Sequence, residues 1–142
     1  MYNDILLTVD LNGEASWTKA LPAAVEQAKA FGGTLHVASV VPDFGMPVVG
    51  NFFPDDFEDK ALADVEEKLT AFCSENVPEG VKVEQVVRYG KIYKEILEIA
   101  KNISADLIII GSTKPEFTDY LLGPNAARVV RHANCSVLVV RG

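Results

Sequence analysis

Leu107-Ile108-Ile109-Ile110-Gly111-Ser112 is the stretch whose reading decides the fold. Four apolar residues, three of them β-branched, follow one another without alternation, and a glycine ends the run. A strand with one wet face would alternate, so an unbroken run of this length marks a strand covered on both faces. Such strands belong to parallel sheets flanked by helices. Upstream, Ile92, Ile96, Ile99 and Ala100 recur at helical spacing, and before them Val81-Lys82-Val83-Glu84 alternates on the way to Arg88 and Gly90, which predicts an edge strand with one wet side. Downstream lie a loop from Ser112 to Leu122, a helix from about Pro124 to Ala133 and a last strand, Val137-Leu138-Val139-Val140.

The first half repeats the alternation. Ile5-Leu6-Leu7-Thr8-Val9 is a strand ending at Asp10, with the turn residues Asn12-Gly13 after it. Ser16 is positioned to cap a helix that carries Ala20, Leu21, Ala24, Val25, Ala28 and Phe31 on one face and stops at Gly32-Gly33. Pro22 fits that helix only in its first turns. Leu35 to Val41 is a second strand closed by Pro42. A Pro-, Gly- and Phe-rich stretch from Asp43 to Asp56 reads as a loop, and then Leu62, Val65, Leu69 and Phe72 mark a helix whose outer face carries Asp64, Glu66, Glu67 and Lys68. Strand and helix thus alternate five times, the pattern of right-handed crossovers. The expected fold is α/β, a doubly wound, Rossmann-like five-stranded parallel sheet of order 3-2-1-4-5 with helices on both faces, forming one domain over residues 1–142. Ligands of such sheets bind beyond the carboxyl ends of the strands at the switch point, here between strands one and four, which brings Asp10 and Gly111 together.

Composition narrows the function. The hydrophobic fraction is 49%, the charged fraction 23% and the formal charge −7, without a Lys/Arg cluster, so nucleic acid and anionic membranes are excluded as expected partners. Cys73 and Cys135 show no metal-ligand spacing and read as reduced thiols, with no metal site. The start, Met1-Tyr2-Asn3-Asp4, has neither a basic region nor a cleavage site, and no apolar stretch approaches about 18 residues, so a cytoplasmic location is expected. His36, within an apolar strand, reads as a hydrogen-bonded, semi-buried residue, and His132 with Arg128 and Arg131 suits a helix C-terminus. No positioned nucleophile or general base stands out, so no catalytic residue is assigned and any ATP hydrolysis is expected to be slow and incidental.

The segment from Gly111 to Ala127 leaves a covered strand and opens a helix, a setting in which backbone N–H groups gather around phosphate. Gly111 permits close backbone approach, Ser112 and Thr113 supply hydroxyls, Lys114 is the one positive charge of the loop, and the N–H groups of Asn125 and Ala126 face an anion. Here Gly111-Ser112, Leu121-Leu122-Gly123, Val129-Val130-Arg131-His132-Ala133 and Cys135 to Arg141 resemble the C-terminal signature of the bacterial universal stress protein family. With Ile5 to Asp10, Leu35 to Val41 and the Gly90 turn, the resemblance covers almost the whole chain, leaving Asp43 to Asp56 without a counterpart. The nucleotide-binding branch of that family carries G-x-x-G, nine residues, then G-S or G-T. This chain departs from it: Lys114 replaces the second Gly, the spacing to Gly123 is one residue short, and Pro124 replaces Ser or Thr. The shorter loop with Lys114-Pro115 and the Leu-Leu-Gly-x-Asn-Ala continuation resemble a subgroup of small members akin to the enterobacterial F and G types, which retains nucleotide.

The resemblance implies a stress-response module that binds ATP or another adenine nucleotide, optionally with Mg2+, acts as a homodimer through its fifth strand and regulates through a protein partner. It places Asp10 by the ribose or adenine and Val40 and Ile110 along the base. Gly111, Ser112, Thr113, Lys114, Gly123, Pro124 and Asn125 fall at ribose and phosphates. The alternatives are a weak ATP-hydrolysing enzyme and a protein-interaction module without nucleotide. Three enzyme or signalling classes on similar sheets fit poorly. Asp10-Leu11-Asn12-Gly13-Glu14-Ala15 is neither the Ser-Gly-Gly-x-Asp-Ser loop of ATP pyrophosphatases nor a nucleotidyltransferase His pair, and Arg88-Tyr89-Gly90 lacks the acceptor Asp of a receiver domain.

Overall fold

The structure, a computed structural model, describes residues 1–42, 57–112 and 124–141. Along the chain run β1 (Asp4–Thr8), a 3-10 turn (Glu14–Ser16), α1 (Ala20–Phe31), β2 (Thr34–Pro42), α2 (Phe57–Asn76), β3 (Lys82–Gly90), α3 (Ile92–Asn102), β4 (Leu107–Ser112), α4 (Pro124–His132) and β5 (Ser136–Arg141). All four strand pairings are parallel and the order is β3-β2-β1-β4-β5, the topology expected from the alternation. Leu107 to Ile110 are all buried, as an unbroken apolar run requires of a strand covered on both faces. β3 is an edge, and its exposed Lys82 and Glu84 account for the alternation seen there.

Successive strand residues point to opposite faces, and the core divides accordingly. On one side Ile5, Leu7, Leu35, Val37 and Ile109 pack against α1 and against Leu69, Phe72 and Cys73 of α2; on the other Leu6, Ala38, Ile108 and Ile110 meet Ile96 and Ile99 of α3 and Ala126 and Val129 of α4. At the amino ends of the strands the Asp106 carboxylate accepts the N–H groups of Asn3 at 2.8 Å and Asp4 at 3.1 Å, tying the start of β1 to β4. His36 is hydrogen-bonded as expected but more deeply buried: Nε2 lies 3.0 Å from Oδ1 of Asp4, while Nδ1, 3.5 Å from Oε2 of Glu84, has no hydrogen-bond partner among the described residues.

Two local expectations change. Ser16 does not cap α1; its hydroxyl donates to the carbonyl of Gly13 at 2.8 Å and accepts the N–H of Asp10 at 2.9 Å, so it closes the preceding turn, and α1 begins after Lys19 without a side-chain cap. Pro22 is the third residue of α1, where its missing N–H costs nothing, because the first four N–H groups of a helix have no internal partner. Phe31 is not inward: it is 38% exposed and meets the Tyr2 ring edge-on at 5.5 Å. Gly32 ends the helix with φ of 64°, the left-handed conformation that favours glycine.

Both cysteines are free, and burial pushes the Cys73 thiol up to about 11. A thiol with a raised folded pKa stabilises fully below its unfolded value near 9, and that contribution is lost as pH rises through 11. Cys73→Ala is expected to flatten the fall in unfolding free energy between pH 9 and 11 by about 2 kcal/mol relative to the wild type, measured by urea denaturation at each pH.

Candidate functional site

Beyond the carboxyl ends of β1, β2 and β4 the chain encloses a cavity of about 470 Å³. The sheet topology places it there: strands on either side of β1 leave in opposite directions, and the gap between their connections is what opens. One part of the wall is apolar, made by Ala38, Val40, Ile92, Ile96, Ile110 and Ala126 from the core between the sheet and α3 and α4. The polar groups on the wall are Asp10, Asn12 and Ser16 from the turn after β1, Ser39 from β2, Ser112 from β4, Asn125 at the start of α4, and Lys68 from α2. Apolar walls with a few polar groups are the ordinary make-up of a small-molecule site.

Asp10 owes its place to the turn after β1. Its Oδ1 accepts the N–H of Asn12 at 3.0 Å, and its carbonyl accepts the N–H of Gly13 at 3.0 Å, an Asx turn that holds an exposed carboxylate on the rim. Ser39 and Ser112 are each less than 10% exposed, and neither hydroxyl has a hydrogen-bond partner among the described residues. Both residues line the cavity, so their hydroxyls are available to a ligand there. Lys68 is exposed and held by Asp64 at 3.0 Å, so its place on the solvated face of α2, expected from the sequence, also puts it on the rim.

Of the residues singled out by sequence, Asp10, Val40, Ile110, Gly111, Ser112, Pro124 and Asn125 all line this cavity, whereas Thr113, Lys114 and Gly123 lie outside the described residues. Gly111 is required by the packing of the chain itself. A Cβ there would fall 3.0 Å from the carbonyl carbon of Ser16 and closer still to its oxygen, so the backbone that glycine admits is the chain's own turn. Ser39, Lys68, Val65, Ile92 and Ile96 were not anticipated as wall residues. Ser39 carried a signal, a hydroxyl within an otherwise apolar strand one residue before Val40; the helical residues carried none, because their positions match any core-facing helix.

Comparison with known proteins agrees with this architecture. The universal stress protein family model matches residues 1–141. Universal stress protein G of Escherichia coli O157:H7 is 34% identical over 143 residues, spanning 99% of this chain and 100% of the relative. Among solved structures, the universal stress protein UspA from Lactobacillus plantarum superposes with a TM-score of 0.72 at 25% identity, covering 99% of this chain and 98% of that one. The universal stress protein from Archaeoglobus fulgidus, solved in complex with dAMP, gives a TM-score of 0.67 at 24% identity, with 98% of each chain covered. A match over essentially the whole length, together with the sheet order and the signature at its carboxyl end, makes this chain a member of the universal stress protein family.

Proposed function

We propose that the chain, acting as a single domain, binds an adenine nucleotide in the cavity beyond β1, β2 and β4 and acts as a homodimeric regulatory module of the stress response. The observation that carries this reading is the pairing, in one cavity at the switch point of the sheet, of an apolar wall with the hydroxyl residues Ser39 and Ser112. The base lies against Val40 and Ile110, the ribose near Asp10, and the phosphates toward Gly111, Ser112 and the first turn of α4. The Archaeoglobus fulgidus relative, bound to dAMP, supports it by showing that a sheet of this kind holds an adenine nucleotide. Mg2+ enters with the phosphates of ATP, since Asp10 is the one carboxylate among the described wall residues. A regulatory protein partner then reads the occupied state. No helix among the described residues is long and apolar enough to cross a membrane.

Pro124 is the first residue of α4 and contributes neither an N–H nor a hydroxyl to an anion there. Wild-type affinity for ATP is therefore expected between micromolar and millimolar, and Pro124→Ser is expected to tighten it about tenfold, the worth of one charge-assisted hydrogen bond. Titration calorimetry with ATP, ADP and AMP on both proteins checks this. Absence of heat with all three at high micromolar protein would refute nucleotide binding, and equal affinities would move the phosphates away from α4.

A further inference from the structure

A second cavity, of about 510 Å³, opens at the other end of the sheet, where α3 and α4 finish and β4 and β5 begin. Leu97 and Ala100 of α3, Ile108 of β4 and Ala133 after α4 give it an apolar wall. Burial, and then the Asp106 carboxylate, push the Cys135 thiol up, so this wall residue stays neutral as well. Around the apolar part stand Lys94, Lys101, Ser104 and His132, and Glu98 is the one carboxylate among the described wall residues. Lys94, Leu97 and Lys101 follow at i, i+3 and i+7, so the two ammonium groups flank Leu97 along one stripe of α3. Both lysines are exposed, and neither has an ion-pair partner among the described residues, although the chain carries a formal charge of −7.

Ser104 adds an independent observation. With φ of 54° it is the one non-glycine in the left-handed region among the described residues. It closes α3: its N–H donates to the Lys101 carbonyl at 3.2 Å, and the next N–H, of Ala105, donates to the Ala100 carbonyl at 2.8 Å, an arrangement glycine adopts without strain. Those two bonds also take up helix-end carbonyls that would otherwise oppose an anion. A serine costs stability at this position, and what it adds is a hydroxyl on the cavity wall. We propose that this cavity binds an amphipathic carboxylate, its head held by Lys94, Lys101 and Ser104 and its unbranched apolar chain lying over Leu97, Ala100, Ile108 and Ala133. The proposal stands apart from the nucleotide reading, because the two cavities share no wall residue other than those of the helices' own length, and none of the groups named here lines the first.

The test is calorimetric titration of the full chain with sodium hexanoate and octanoate, and with octanol and octylamine as neutral and cationic counterparts, while amide shifts are followed by NMR. Affinity is expected to rise about fourfold per methylene from hexanoate to octanoate, and octanol is expected to bind at least tenfold more weakly than octanoate for want of a charged hydrogen bond. Octanoate should shift the amides of Ala105, Ala133 and Cys135 and leave those of Asp10, Ser39 and Ser112 in place. Reversing both exposed lysines, Lys94→Glu with Lys101→Glu, is expected to weaken octanoate at least tenfold and to leave octanol unchanged. Ser104→Gly is expected to raise the urea midpoint, because glycine relieves the backbone, and yet to weaken octanoate severalfold, a split that a structural role alone would not give. No binding at millimolar octanoate, octanol or octylamine binding as tightly as octanoate, or shifts confined to the first cavity would each overturn the proposal.

Discussion

Replacing Gly111 by alanine is expected to lower the unfolding free energy by about 2 to 3 kcal/mol, the upper range for forcing an extra carbon into packed backbone. The new Cβ would meet the carbonyl of Ser16, and backbone cannot rotate away as a side chain can. The turn from Asp10 to Ser16 is held at several points, by the Asp10 N–H to Ser16 Oγ bond and by the Gly13 N–H to Asp10 carbonyl bond, so relief comes only by moving the whole turn. That turn carries Asp10 on the cavity rim, and nucleotide affinity should fall together with stability. Urea denaturation followed by titration with ATP measures both. A variant as stable as wild type would show that the turn yields freely; a destabilised variant with unchanged affinity would remove Asp10 and its turn from the binding site.

The second large effect concerns assembly. Among the described residues β5 pairs with β4 alone, and Leu138 on it is 36% exposed. The opposite edge, β3, presents Lys82 and Glu84, charges of the kind that discourage pairing, while Val137 to Val140 of β5 contain none. A two-fold mate that pairs antiparallel through β5 would cover this edge, and each substitution would then act twice across the interface. Wild type should sediment near twice 15.4 kDa at micromolar concentration. Leu138→Lys should weaken the dimer about a hundredfold or more, roughly 3 kcal/mol from two buried charges. Leu138 is the better probe than Val139, because Val139 packs against the core shared with α4 and a charge there would also damage the fold. A monomeric wild type, or a dimer indifferent to Leu138→Lys, would place the contact elsewhere.

Much of this molecule could be read from local pattern. Apolar continuity at Leu107 to Ile110, alternation at Val81 to Glu84 and helical spacing at Ile92, Ile96 and Ile99 each report how many faces of an element are covered, and with right-handed crossovers that suffices for the sheet order. Topology then brings the ends of β1 and β4 together, which is why connectivity alone predicts Asp10, Gly111 and Asn125 on one wall.

What local pattern cannot register is which distant backbone or side chain fills the space next to a residue. Gly111 is a glycine because the Ser16 carbonyl lies against it, and a window of sequence around either residue contains no trace of the other. Ser16 has the composition of a helix cap, yet the turn at Asp10 to Gly13 competes for the same hydroxyl and wins. Ser39 is one small polar residue in a strand until the tertiary structure sets it in the cavity wall. Sequence by itself determined the elements, their order in the sheet and the end at which a ligand would enter, because these depend on periodicity and chain connectivity; only the tertiary structure decided which hydroxyls face the cavity and which glycine the packing demands, because those depend on contacts between segments far apart in the chain.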